Sequence, residues 1–234
     1  MKLEESYLLA LCRAGFKGTE PPALPEGLTW EELMMLAESH HVYALAADAM
    51  LRLPTAGEAG TKLALRYQAM ARFYESQQTA ELDMLVAYFT AAKVDYCLLK
   101  GSYWKLLYRD PTLRSMCDID VLVRLRDWEK ACRVLTAMGY TADDDIDLHM
   151  AFSKDGMRIE LHRDLLSNRD RTVAQLAYPW ENMTRVDGCA WRLPETEEYL
   201  YFFAHAERHV GSYTFFLRML ADTAVLTDGL TVDR

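Results

Sequence analysis

The five cysteines of this chain, Cys12, Cys97, Cys117, Cys132 and Cys189, are odd in number and widely spaced, with no Cys-x-x-Cys among them. That argues against a disulfide framework or a cysteine zinc site and favours a reducing compartment. Positive charge is also scarce, since 26 Lys and Arg face 35 Asp and Glu for a formal net charge of −9. Binding a long nucleic acid requires clustered cations, so that partner is disfavoured; a nucleotide requires only a local pocket and a metal. No window approaches the length of a membrane span. Glu4 and Glu5 stand where a signal peptide carries positive charge, and the apolar stretch Tyr7–Cys12 is too short for its hydrophobic region. There is no internal repeat and no low-complexity tract. What remains is ordinary globular composition, 51% hydrophobic and 26% charged over 234 residues, enough to bury a sizeable core. The expectation is a soluble cytoplasmic protein that does not engage membranes.

The first third reads helical. Thr29 is placed to N-cap a helix with Glu32 at the capping-box position, and an apolar periodic run follows through Met50. Leu51 to Gly60, with Pro54, Gly57 and Gly60, reads as a connection. From Thr61 to Ala92 there is no Pro or Gly, which predicts a long helix. The pattern then changes. Tyr96 to Leu99 reads as a buried strand, Ser102 to Tyr108 as a helix closed by Asp110-Pro111, and Cys117 to Val123 as a second strand. Asp127 opens an amphipathic helix that Gly139 ends. Leu148–Ser153 and Met157–Leu161 flank the turn Lys154-Asp155-Gly156 as a hairpin, and helix returns from Pro194.

Within the second strand, Asp118 and Asp120 lie two residues apart, which directs both carboxylates to one face. Like charges buried together require a cation between them, and a divalent metal is the usual solution. Gly101-Ser102 lies upstream, between strand and helix, where backbone N–H groups and a small residue suit a phosphate. Glu160, on the second hairpin strand, is a third carboxylate, able to ligate a metal and to help deprotonate an attacking hydroxyl. Asp164 and Asp147 are its substitutes, and pairing of Glu160 with an Arg across the sheet is the plainer alternative.

The stretch Leu98-Leu99-Lys100-Gly101-Ser102, followed by Leu113 to Val123 with its Asp118-Ile119-Asp120 and by Arg158-Ile159-Glu160-Leu161-His162, resembles the uncharacterised nucleotidyltransferases of the DNA polymerase beta-like superfamily. The resemblance covers Val94 to Asp164, and Ala204 to Asp222 is similar to the helical C-terminal part of that family. It implies an α+β fold, with a small mixed-sheet nucleotidyltransferase core at 93–165 flanked by helical regions at 1–92 and 166–234. It also implies transfer of a nucleoside monophosphate from an NTP to a hydroxyl, with two Mg²⁺ ions on three carboxylates. By motif position, Gly101 and Ser102 match the phosphate-binding pair, Asp118 and Asp120 the paired metal ligands, and Glu160 the third acid. The gap from Ser102 to Asp118 is longer than the commonest spacing in the superfamily. The chain also ends soon after Asp222, where a further helical region carrying an acceptor site is expected.

Lys100 and Arg114 are candidates for triphosphate contact, with plain surface charge as the alternative for each. His162 shares a strand face with Glu160 and suits support of a metal ligand. Trp104 and Tyr108 are candidate surfaces for a base. His205 and His209 have the i, i+4 spacing of two zinc ligands, but Ala206 follows where H-E-x-x-H requires Glu, so lining the cleft or packing within the helical part is the simpler role. The run Asp143-Asp144-Asp145-Ile146-Asp147 fails the EF-hand template, which would put Leu148 at the glycine position and Lys154 at the glutamate position, and reads as a solvated loop. The leading expectation is a Mg²⁺-dependent, ATP- or other NTP-using nucleotidyltransferase whose acceptor is a small molecule or a protein. The alternative is a non-catalytic binding or regulatory module on the same fold.

Overall fold

The computed structural model describes residues 2–146, 148–166, 176–211 and 216–229. In chain order the helices are α1 (Leu3–Lys17), α2 (Trp30–Ser39), α3 (Tyr43–Met50), α4 (Gly57–Ala92), α5 (Gly101–Trp104), α6 (Trp128–Ala137), α7 (Pro179–Asn182), α8 (Glu195–Gly211) and α9 (Leu217–Gly229). The strands are β1 (Tyr96–Leu98), β2 (Ile119–Val123), β3 (Thr141–Asp145), β4 (His149–Lys154), β5 (Met157–His162), β6 (Thr184–Asp187) and β7 (Ala190–Arg192). This is the expected mixed α+β class. The chain divides into two compact units, one formed by residues 1–77, 105–116 and 216–225, the other by 78–104, 117–215 and 226–234.

The first unit is helical. Thr29 caps α2 as expected, its hydroxyl accepting from the Glu32 N–H while the Glu32 carboxylate accepts from the Thr29 N–H. The apolar run through Met50 is two helices and not one, because His41 adopts a left-handed φ of 56° between α2 and α3. The expected connection ends early, since α4 begins at Gly57. All eight residues of α3 are buried, and its small alanines let neighbouring backbones come close. Gly15 on α1 shows how close: an added Cβ would lie 2.1 Å from the Leu45 carbonyl oxygen. Arg109 closes this crossing by donating to the Gly15 carbonyl (3.0 Å) and to the Asp48 carboxylate.

The second unit holds a seven-stranded mixed sheet in the order β3-β4-β5-β2-β1-β7-β6. Strand β2 is buried along its whole length, as a central strand built from Ile, Val and Leu should be. It runs antiparallel to β1 and parallel to β5. The β4–β5 hairpin turns on Asp155 (φ 48°) and Gly156 (φ 81°), both left-handed, as a two-residue turn that follows the strand twist requires. Glu81 on α4 accepts from the Tyr140 hydroxyl and the Lys154 ammonium, both at 2.8 Å, which ties the helix to the hairpin. Three strands differ from expectation. The first three aspartates of the acidic run, Asp143 to Asp145, are not loop but the end of edge strand β3, which is exposed at all five residues. The short, polar β6 and β7 extend the other side of the sheet beyond β1.

Candidate active site

Strand register assembles the site within the second unit. Asp120 on β2 lies directly opposite Glu160 on β5, and Leu122 opposite His162. His162 follows Glu160 by two residues and so shares its face, while His149 on β4 pairs across from His162. One face of three adjacent strands thereby carries Asp120, Glu160, His162 and His149. Asp118 sits just ahead of β2, which begins at Ile119 and not at Cys117, and it is half-buried.

Lys100 completes the cluster. It follows β1 with φ at 47°, a left-handed conformation rare for a residue with a side chain. The preceding Leu99 N–H bonds the Asp120 carbonyl at 3.0 Å, and the Lys100 ammonium lies 2.6 Å from Asp120 Oδ1. His162 Nε2 reaches the same oxygen at 2.9 Å. Burial disfavours both charges of the Lys100–Asp120 pair, but their attraction outweighs it. The carboxyl is held well below the usual range and the ammonium above its own, with Asp118 adding to the latter.

Glu160 is flanked on both sides. His149 Nε2 stands 3.4 Å from one oxygen, His162 Nε2 3.7 Å from the other, and Arg158 Nε 3.5 Å from the first. Burial and the charge of Asp120 raise its pKa, yet the contact with His162 and the charge of Lys100 bring it below the ordinary carboxylate value, so it stays ionised. Burial pushes His149 down to about 4 against the pull of Glu160, so at neutral pH its contact with Glu160 joins an ion to a neutral ring.

Ser102 is buried beside this cluster, and its hydroxyl has no hydrogen-bond partner among the described residues. The same holds for Tyr201 on α8, whose pKa burial raises and whose electrostatic neighbours include Lys100 and Asp120. His205, one turn further along, is half-buried next to the same two charges, and its desolvation pushes it down to about 2. Its Nε2 lies 3.1 Å from that of His209. Trp104 is buried against Phe202 and donates to the buried Glu198 carboxylate.

The structure thus gathers Lys100, Ser102, Asp118, Asp120, Glu160 and His162 in one unit, with Gly101 between Lys100 and Ser102. Arg114 belongs to the first unit, where Nε and Nη2 donate to the two oxygens of Asp222 at 2.8 and 2.9 Å. Tyr108 is buried there too and donates to Asp222 at 2.7 Å. Asp147 lies outside the described residues, and Asp164 follows β5 with its carboxylate accepting from the Leu165 N–H. His149, Tyr201 and Glu198 were not legible as site residues. The predicted hairpin placed His149 on its first strand but ended the second at Leu161, one residue short of the His162 that His149 pairs with.

A family model described as "Uncharacterised nucleotidyltransferase" matches residues 26–233. No curated protein matches the chain. Among solved structures, that of the antibiotic-resistance factor ANT(2'')-Ia in solution is similar at a TM-score of 0.51 and 10% identity, covering 67% of this chain and 85% of that one. A crystal structure of ANT(2'')-Ia with adenylyl-2''-tobramycin gives a TM-score of 0.50 and 10% identity, covering 66% and 90%. At such identity the likeness concerns the fold.

Proposed function

The chain belongs to the uncharacterised nucleotidyltransferase family, and we propose that it moves a nucleoside monophosphate from an NTP to a hydroxyl on a small molecule or a protein side chain. The observation that carries the reading is the pairing of Asp120 with Glu160 across two adjacent parallel strands, with Asp118 two residues before Asp120. Carboxylates set side by side in a buried sheet are costly, and cation binding is the function that makes sense of the cost. Asp118, Asp120 and Glu160 offer the oxygen donors that Mg²⁺ prefers, so these three would hold it. When bound, such ions neutralise the triphosphate and favour the ionised form of the attacking hydroxyl.

The protein side chains divide the remaining work. Ser102, buried with its hydroxyl unpartnered among the described residues, and the adjoining backbone of Gly101 suit a phosphate oxygen. Lys100 would add positive charge beside the triphosphate. Glu160, ionised and opposite Asp120 on β5, would take the proton of the attacking hydroxyl. The acceptor oxygen then bonds the α-phosphorus, the bond from that phosphorus to the bridging oxygen breaks, and pyrophosphate leaves with the electron pair. We leave Arg114 out of the phosphate contacts, since both prongs of its guanidinium face Asp222. A small-molecule acceptor is supported by the adenylylated tobramycin in the ANT(2'')-Ia complex and by this chain's net charge of −9, which disfavours long nucleic acids.

The test is thermal unfolding with each of the four NTPs, with and without Mg²⁺, for wild type and Asp120→Asn. A nucleotide at about a hundred times its Kd stabilises a protein by roughly 2.7 kcal/mol. A Mg²⁺-dependent shift that disappears in Asp120→Asn is expected. One observation favours a second reading: Lys100 neutralises Asp120 directly, as a binding module without metal would require. The absence of a shift with every NTP would support that module.

A further inference from the structure

We propose that His149, Glu160 and His162 form a binding site for a divalent transition-metal ion with the ligand preferences of zinc, sharing Glu160 with the nucleotide site. One ligand atom from each residue lies within 4.8 Å of the other two. The carboxylate stands between two imidazoles, with His149 Nε2 3.4 Å from one oxygen and His162 Nε2 3.7 Å from the other. Ligands about 2.0–2.1 Å from a tetrahedral ion are roughly 3.3 Å apart, so small side-chain movements would seat one. Asp120 Oδ1, 2.9 Å from His162 Nε2, borders the site but already accepts from Lys100 at 2.6 Å, so a water would complete the coordination.

Two features separate this site from the three-carboxylate set. The first is donor chemistry. Mg²⁺ prefers oxygen throughout, whereas two imidazoles with one or two carboxylates suit Zn²⁺, Co²⁺ or Mn²⁺. The second is rigidity. His149 and His162 are register partners in the β4–β5 ladder, and Glu160 is two residues from His162 on the same strand, so the sheet itself fixes the three positions. Nδ1 of each ring is buried with no hydrogen-bond partner among the described residues, so it is Nε2 of each that faces the carboxylates and would face the ion. An ion held here occupies Glu160 and borders Asp120, so zinc and Mg²⁺ would compete for the face of the sheet that the transfer reaction uses.

The experiment takes the full chain, strips it with a chelator and titrates Zn²⁺ against a chromophoric competitor, with Mg²⁺ in excess. One Zn²⁺ per chain is expected. Affinity should fall by about 100-fold or more in His149→Gln and in Glu160→Gln, more than the loss of an outer hydrogen bond would cause, and stay unchanged in His205→Gln. Co²⁺ substitution of wild type supplies a reading that does not depend on a variant folding: visible bands of a four-coordinate nitrogen–oxygen site support the proposal, and a purely octahedral spectrum overturns it. It is also overturned if no Zn²⁺ binds, if excess Mg²⁺ displaces it, or if affinity is lost only in His205→Gln, which would put the ion on the α8 histidine pair. The NTP shift is read separately on zinc-free protein. Zinc binding without that shift leaves this site standing and removes nucleotidyl transfer; the shift without zinc does the reverse.

Discussion

The ammonium of Lys100 rests 2.6 Å from Asp120 Oδ1, both groups buried, on a backbone twisted into the left-handed region to reach it. Any cation that binds Asp120 must share that carboxylate with a charge supplied by the chain itself. The pair also sets how the site tolerates substitution. Removing one member of a buried pair strands the other, at a cost of about 3–5 kcal/mol, whereas removing both is far cheaper.

Lys100→Met should therefore lower stability in chelator by roughly that amount, and Lys100→Met/Asp120→Asn should recover most of it. Urea unfolding of the two single variants and the double variant measures the coupling. A loss in the double variant equal to the sum of the two single losses would mean that the pair contributes nothing. Added Mg²⁺ should stabilise Lys100→Met more than wild type, because the stranded carboxylates gain a cation.

Acid should act through the same carboxylate. Asp120 titrates well below its unfolded value, so between the two values the unfolded chain binds more protons than the folded one. Its stabilising contribution is complete above about pH 4 and is lost as pH falls toward the folded value. The stability difference between wild type and Asp120→Asn should thus shrink from pH 5 to pH 2. A constant difference over that window would remove Asp120 from the acid limb.

Much of this arrangement was legible in the sequence, and the gaps have physical causes. The strand carrying Asp120, the turn at Asp155-Gly156 and the Thr29 cap depend on neighbouring residues, so local patterns expose them. Strand β3 was hidden because three consecutive aspartates disfavour strand; it forms only because β4 offers an open ladder, and all five of its residues stay in water. Strands β6 and β7 have three or four residues each and no buried stripe, so only pairing with β1 marks them. His149 joins the site through cross-strand register, which lies outside any linear motif. Arg114 lies close to Asp118 in sequence, yet its partner Asp222 is more than a hundred residues away, and no spacing rule anticipates that.

Gly15→Ala tests the helical unit. The new methyl would stand 2.1 Å from the Leu45 carbonyl oxygen, and backbone on a fully buried helix has nowhere to retreat. The ordinary helix-propensity gain of about 1 kcal/mol from Gly to Ala should be reversed, with a net loss of at least 1–3 kcal/mol typical of overpacking. A rise in Tm would show that α1 and α3 separate more easily than their contact suggests.

Glu198 gives the opposite pH dependence from Asp120. Its carboxylate is buried and accepts from the Trp104 indole N–H; burial raises its pKa to about 7, with that bond and Arg192 pulling the other way. The folded state therefore holds a proton that the unfolded chain releases near pH 4.5. The stability this provides is complete below that pH and declines as pH rises through about 7. A shift of this size corresponds to something on the order of 3 kcal/mol. Glu198→Gln keeps an oxygen for the Trp104 donor and removes the titration. The variant should match wild type at pH 5 and exceed it at pH 8, because wild type alone must then carry a buried charge or retain a proton against the solvent. Denaturant midpoints across that range decide the matter: parallel curves for the two proteins would mean that Glu198 is ionised throughout, with Trp104 and Arg192 together outweighing its burial.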